Sequence, residues 1–446
     1  MGNQRERPNR IGLDISALDP DFKEHATRGI GRYVRGLRSG LASIAAHPPN
    51  KDSSNPNHSL LSRGTLLEVP APSPRPHSTA MSRETIQLGA FDHHDFSLPL
   101  GVDGLIDRLP FGGQTVKQQL CFPVQLRSEA FRQFDLLHFP AHMDAPAWSP
   151  APYAITVHDF IPLACRGLYE AQVGSWRFRL ARSMEQRAIR EARVIFANSQ
   201  CTANDAIQFL GVPPERIVVT HLGVDEIFFS LPPEEVERKV RQRFFPPASE
   251  SAEGAASGRR VGPVISYVGG IDARKNVPWL LTVFGEICRR RKTRNLPSPH
   301  LLLVGKIQDH PNFPALQKQI QILGIANAVR CTGYLADEDM RAIVHASDLS
   351  VFPSLYEGFG LPPLEALALG TPVLAAKTSC LPEILGDSVH WVDPKDTDGA
   401  TSKLEGLLEN EEHRKEYRDA GRQHARRFSW RATAEATLRG YQQFLR

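Results

Sequence analysis

The sequence predicts an α/β protein of two parallel-sheet domains, and three observations lead there. The chain has 446 residues, more than one ordinary hydrophobic core organises. Hydrophobic residues make up 41% and charged residues 23%, the balance of a globular chain rather than a disordered or membrane-embedded one. Short apolar, strand-like runs alternate with helical ones, as they do where parallel strands are joined by helices.

In order, the first strand is expected at residues 11–15 and the first helix at 31–46. Residues 47–82 are rich in Pro, Ser, Asn and His and include Pro70-Ala-Pro-Ser-Pro-Arg-Pro76. That composition buries too little apolar surface to order itself, so a flexible insertion is expected. Residues 83–130 carry no decided pattern. Strands follow at 135–139, 154–159, 193–199 and 216–220, with helices at 175–191 and 201–210. Residues 226–262 hold a Leu-Pro-Pro start, a charged helix-like piece and a Pro/Ala/Ser/Gly-rich tract, and are expected to connect the two domains. The second half has strands at 264–270, 300–304, 329–334, 348–353, 371–376 and 389–392. Its tail is helical from Thr401, with Ser429 as N-cap of a last helix. The expected domains are therefore 1–225 and 263–427, joined by 226–262 and followed by a C-terminal helix at 428–446.

Several classes are disfavoured. Six scattered cysteines form no Cys-x-x-Cys pair and no Cys/His cluster, so neither a disulfide framework nor a zinc site is indicated, and a reducing cytoplasm fits. The polar start MGNQRERPNR lacks an apolar signal core. No apolar run of about 18 residues exists, so membrane contact would be peripheral. A net charge of +4 is mild, and no nucleic-acid-binding signature accompanies it. No GxxxxGK[ST] motif marks a nucleotide phosphate loop.

The most informative stretch is Glu357-Gly-Phe-Gly-Leu-Pro-Pro-Leu-Glu365. It follows the strand at 348–353 and opens a helix, so Glu357 is expected in a loop at the C-terminal end of a strand and Glu365 in the first turns of the next helix. Open α/β sheets bind ligands at that edge. The helix start offers backbone N–H groups of Phe359, Gly360 and Leu361 to phosphate or sugar oxygens, and the two carboxylates accept from hydroxyls. A molecule with phosphates at one end and hydroxyls at the other, a nucleotide sugar, fits. Gly269-Gly-Ile-Asp-Ala-Arg-Lys-Asn276 follows the first strand of this half. Gly269 and Gly270 permit close approach, and Arg274 and Lys275 supply charge for a departing diphosphate. Read alone, the same pair would serve as a solvated turn.

The block EGFGLPPLEALALGTPVLA resembles the donor site of retaining glycosyltransferases of family four, the group 1 glycosyltransferases. The resemblance covers residues 11–46 and 135–446 and is densest from Val264 to Pro394. It implies the GT-B fold, two Rossmann-like domains facing a cleft, with the last helix crossing back to the N-terminal domain. It also implies transfer of a hexosyl group from a nucleotide-sugar donor to a glycan or lipid-linked saccharide acceptor, with no metal and no protein nucleophile. It assigns Glu365 to the ribose, Glu357 to a sugar hydroxyl near the reacting carbon, and Lys275 and Arg274 to the diphosphate. The chain departs from the family pattern at Gly270, where arginine is common; either Arg274 compensates or one donor is missing.

In the first half, Thr27-Arg-Gly-Ile-Gly-Arg-Tyr33 resembles the family's glycine loop, with Gly29 and Gly31 approaching diphosphate or acceptor. A simple turn explains it equally well. His158-Asp159 ends a strand; a histidine there is often structural, but the resemblance places His158 against the donor sugar. Trp176-Arg-Phe-Arg-Leu-Ala-Arg182 puts arginines beside aromatics on a helix, which suits either a solvated face or peripheral contact with the inner membrane. GIGRY, HDFIP and GGIDxRKN together are similar to bacterial polysaccharide mannosyltransferases, so GDP-mannose is the first expected donor. UDP-sugars, a nucleotide-sugar epimerase or hydrolase, and a non-catalytic sugar-nucleotide-binding scaffold are the alternatives.

Overall fold

A computed structural model describes residues 9–19, 29–46, 66–72, 81–91, 118–119, 122–168, 176–245 and 262–445. The chain divides into two compact units, Met1–Gly223 with Ser429–Arg446, and Val224–Phe428.

The N-terminal unit is built on strands β1 (Asn9–Asp14), β2 (Leu66–Pro72), β3 (Met81–Phe91), β4 (Leu136–Phe139), β5 (Tyr153–Val157), β6 (Val194–Ala197) and β7 (Ile217–Val219). They lie in the order β2-β3-β1-β4-β5-β6-β7. Every neighbouring pair is parallel except β2 with β3. Strands β4, β5 and β6 are buried along their whole length, which explains why they read as continuous apolar runs rather than alternating ones.

The insertion expected at 47–82 is corrected in part. Residues 66–72 form β2, antiparallel to β3 at the sheet edge, while 47–65 and 73–80 lie outside the described residues. Pro70 and Pro72 are tolerated because an edge strand has one row of N–H groups that no ladder needs. The undecided stretch 83–130 contributes most of β3.

The glycine loop also changes. Gly29 and Gly31 fall inside the helix Gly29–Ala46, with Gly31 buried; Thr27 and Arg28 lie outside the described residues. The run GIGRYVRGLRSGL keeps helical spacing, with Tyr33, Val34, Leu37 and Leu41 on the buried side, so the chain enters the helix before the glycines are spent. The final helix, Trp430–Leu445, packs against this one. A Cβ at Gly36 would lie 2.1 Å from the Trp430 ring and one at Gly40 2.2 Å from the Trp430 carbonyl oxygen, so both positions admit only glycine at this approach.

The C-terminal unit carries β8 (Val264–Val268), β9 (His300–Val304), β10 (Val329–Gly333), β11 (Leu349–Phe352), β12 (Val373–Ala376) and β13 (His390–Val392). All are parallel, in the order β10-β9-β8-β11-β12-β13. Each expected strand of this half is found within one or two residues. The segment 226–262, expected as a connection, is corrected: Glu234–Phe244 is a helix of this unit's core, and 246–261 lie outside the described residues. Val236, Val240 and Phe244, spaced four apart, form a stripe that packs with Val264, Leu302 and Ile343.

Candidate functional site

In the C-terminal sheet the chain builds outward from β8 to β10, then returns to lay β11 on the other side of β8. Loops leaving β8 and β11 therefore diverge around a crevice at the carboxyl edge, where doubly wound sheets hold ligands. Both informative motifs are these two loops. Leu355 N donates to Arg274 O at 2.7 Å, tying one loop to the other. Glu357 then accepts from Arg274 Nη1 at 2.8 Å and from Lys275 Nζ at 2.6 Å, across 82 or more residues of chain. All three side chains are 13–16% exposed, so the cluster is mostly buried but keeps some contact with solvent.

Burial by itself would raise the Glu357 carboxyl. The charges of Lys275 and Arg274 outweigh it, helped by hydrogen bonds from Lys275 and Ser354, and hold the group below the ordinary carboxylate range. Glu357 is thus an anion between two cations. Its backbone is fixed as well: Glu357 N donates to Ser379 Oγ at 2.9 Å, and Cys380 Sγ donates to Glu357 O at 3.1 Å.

Sequence reasoning missed these supports from the loop after β12, because nothing in a lone Ser-Cys pair marks it. It also missed Tyr267 and Gly305. The buried Tyr267 hydroxyl donates to Gly270 O, shaping the glycine turn from below. Gly305, at φ +146°, ends β9 against that turn; a Cβ there would sit 2.4 Å from Gly269 O. A glycine immediately after an apolar strand, beside a second strand ending in Gly-Gly, is the signal that could have found it.

The remaining residues of the block divide by exposure. The Phe359 ring is buried and meets Phe428 edge-on at 6.0 Å, so what this residue can offer a ligand is backbone. Gly360 takes φ +92° and caps the helix Leu361–Ala368. Pro362 and Pro363 fill the next helical positions and have no N–H, which leaves Leu361 as the donor of that first turn. Glu365, one turn further, is 4% exposed.

In the N-terminal unit His158 follows β5. Its Nε2 donates to Pro140 O at 2.8 Å, which places the proton on that nitrogen. Asn198 Nδ2 donates to His158 O at 2.8 Å, and the Tyr33 ring stands edge-on to the imidazole at 5.1 Å. Beneath it runs a buried polar chain. Tyr441 Oη lies 2.6 Å from His138 Nδ1, His138 Nε2 lies 2.8 Å from Thr156 Oγ1, and Tyr33 Oη lies 3.0 Å from the same hydroxyl. Burial, with a smaller push from His158, lowers His138 to about 3, so it is a neutral imidazole. Beside His158, at 6.5 Å between rings, buried His142 bonds Glu185 at 3.0 Å, and Arg182 bonds Glu185 at 2.7 Å. Burial opposes a charge on His142, but Glu185, and then Asp159, raise it above its ordinary value. His142 and Glu185 were not anticipated, being 43 residues apart on unrelated elements.

The comparisons agree with this division. The profile of Glycosyl transferases group 1 matches residues 257–424, and that of Glycosyltransferase Family 4 matches residues 89–227. The MMP alpha-(1->4)-mannosyltransferase of Mycolicibacterium hassiacum is 32% identical over 301 residues, 65% of either chain. O-antigen chain mannosyltransferase B of Escherichia coli is 26% identical over 288 residues, 64% of this chain and 69% of that one. The match thus spans just under two thirds of the first relative's length. Anabaena HepE, solved in complex with UDP and glucose, superposes with a TM-score of 0.60 at 16% identity over 96% of this chain and 97% of that one. The fold is the GT-B fold. The chain therefore carries a family 4 glycosyltransferase domain at residues 89–227 and a group 1 glycosyltransferase domain at residues 257–424.

Proposed function

We propose that the protein transfers a hexosyl group from a nucleotide sugar, mannosyl from GDP-mannose, to a hydroxyl of a glycan or lipid-linked saccharide, with retention and without a metal. The observation that carries this reading is the Glu357–Arg274–Lys275 cluster at the switch point of the C-terminal sheet. Cleavage of the donor's glycosidic bond leaves charge on the nucleoside diphosphate, and fixed cations stabilise that charge as it develops. A bound diphosphate takes over Arg274 and Lys275, and the Glu357 oxygens then accept from sugar hydroxyls. Gly269 and Gly270 let the phosphates approach the turn closely. Phe359, Gly360 and Leu361 offer backbone to sugar or phosphate oxygens, and Glu365 is assigned to the ribose. His158 is assigned to the donor sugar. Mannose is favoured because both relatives named above are mannosyltransferases.

Acceptors carried on lipid would be met by the helix Trp176–Glu191, where Trp176 and Leu180 are exposed among arginines. No helix of the described residues is long and apolar enough to cross a membrane.

A thermal-shift screen against GDP, UDP, ADP and their sugar conjugates, in EDTA, tests the reading. A ligand at 100-fold over Kd stabilises by about 2.7 kcal/mol, which is readily seen. A shift confined to GDP and GDP-mannose is expected. A shift confined to UDP species overturns the mannosyl assignment, and no shift with any nucleotide overturns the catalytic one.

A further inference from the structure

A cavity of about 320 Å³ opens in the C-terminal unit beside Ala346 and Ser347, just before β11 begins. Arg241, Arg418, Arg422, His345, Asp419 and Gly370 line it. Its relation to the donor site is set by one helix. Leu361–Ala368 starts beside the Glu357 loop and ends at Leu369 and Gly370 in the cavity wall, about 12 Å away at 1.5 Å per residue.

Arginines beside the end of a helix commonly serve its unsatisfied carbonyls. That role is already filled. Leu367 O accepts from Gly370 N and Ala366 O from Thr371 N, both at 2.9 Å. Ala368 O accepts from Arg422 Nε at 3.3 Å and Leu369 O from His345 Nδ1 at 3.2 Å. Capping therefore uses one edge of Arg422 and none of Arg418. Arg241 is held by Glu237 on its own helix at 2.6 Å and covers Phe245. Among the described residues neither Arg418 nor Arg422 has a carboxylate within ion-pair distance, although Asp419 is next in sequence to Arg418; it is exposed to water instead. Two partly buried arginines with no carboxylate partner thus face one cavity, where both can turn toward an anion. The planar fork of arginine matches phosphate oxygens two at a time.

We propose that this cavity is a second anion site, taking a small phosphorylated solute with its phosphate between Arg418 and Arg422. The test is calorimetric titration of the full chain with inorganic phosphate. The Lys275→Ala variant, which removes a phosphate contact at the donor cluster, is expected to retain a phosphate site that depends on Arg418. Arg418→Ala is expected to bind at least about tenfold more weakly, the loss of charge-assisted hydrogen bonds. Arg418→Lys keeps charge and bulk but not the fork, folds in any case, and is expected to fall between the two. No heat from millimolar phosphate with the parent overturns the proposal. So does phosphate binding that survives in Arg418→Lys, Arg418→Ala and Arg422→Gln alike, or that disappears with Lys275→Ala. Because nucleotide binding is lost through Lys275 and phosphate binding through Arg418, failure of either reading is seen separately.

Discussion

The two units solve the same problem in opposite ways. Each carries conspicuous polar side chains at the carboxyl edge of a parallel sheet. In the C-terminal unit these are full charges, Glu357 with Arg274 and Lys275, held at hydrogen-bond distance and left 13–16% exposed. In the N-terminal unit the chain Tyr441–His138–Thr156–Tyr33 is buried and kept neutral. A charged cluster that retains an opening exchanges partners when a charged ligand arrives. A neutral, closed chain holds shape, because a buried polar group loses more by being left unpaired than it gains elsewhere. The first arrangement can exchange partners and the second holds its own unit's shape, and substitutions should separate them by what they damage.

The largest effect is expected at the charged cluster. Lys275→Ala should lower turnover by about 10²–10³-fold, the range found for loss of one charge-stabilising donor, and weaken nucleotide binding with it. Glu357→Ala should lower turnover comparably while leaving nucleotide binding measurable. Steady-state rates and a nucleotide titration check both, and wild-type rates in either variant would remove that residue from the site. Next is Gly305→Ala. Its Cβ would press on Gly269 O, so about 3 kcal/mol of stability should go, read as a lower unfolding midpoint, together with donor binding.

Scaffold residues should instead show in the pH dependence of stability. His138 titrates at about 3 when folded and at 6.5 when unfolded, so between those values the unfolded chain binds the extra proton. Stability should fall as pH drops through that window, by about 2 kcal/mol from the upper limit to about pH 5. His138→Gln should flatten the slope without changing nucleotide affinity. His142 has the opposite sign: its raised value adds stability below the unfolded value, lost as pH rises through the folded one. Urea unfolding at several pH values distinguishes the two histidines. The smallest effect is at Gly29, where an added Cβ meets nothing within 4 Å. Gly29→Ala should change stability by less than about 1 kcal/mol. A large loss of turnover there would support the expected approach of Gly29 to diphosphate or acceptor.

The contrast extends to what could be read from the chain. The inner strands β8, β9, β11 and β12 were legible because parallel strands buried on both faces are unbroken apolar runs between Gly, Pro and Asp stops. The motifs around Arg274 and Glu357 were legible for a related reason, since each sits where such a run ends. Edge strand β2 was not, because its prolines signal loop in any sequence and become acceptable only beside a partner such as β3. The helix Glu234–Phe244 was visible as a helix, but its three apolar residues do not say which core they join.

By itself, then, the sequence determined two parallel α/β units, the ends of most strands, and two loops whose residues suit a nucleotide sugar. Periodicity and turn chemistry are local, and these features depend on little else. Only the tertiary structure decided that Glu357 pairs with Arg274 and Lys275, that Gly305 must clear Gly269, and that His138 is pushed down in its titration while His142 is pushed up. It also brought Arg418 and Arg422 to one cavity. Those outcomes depend on strand order, which places β11 beside β8, and on burial, which sets whether a charge is affordable. Neither quantity exists until distant parts of the chain have packed.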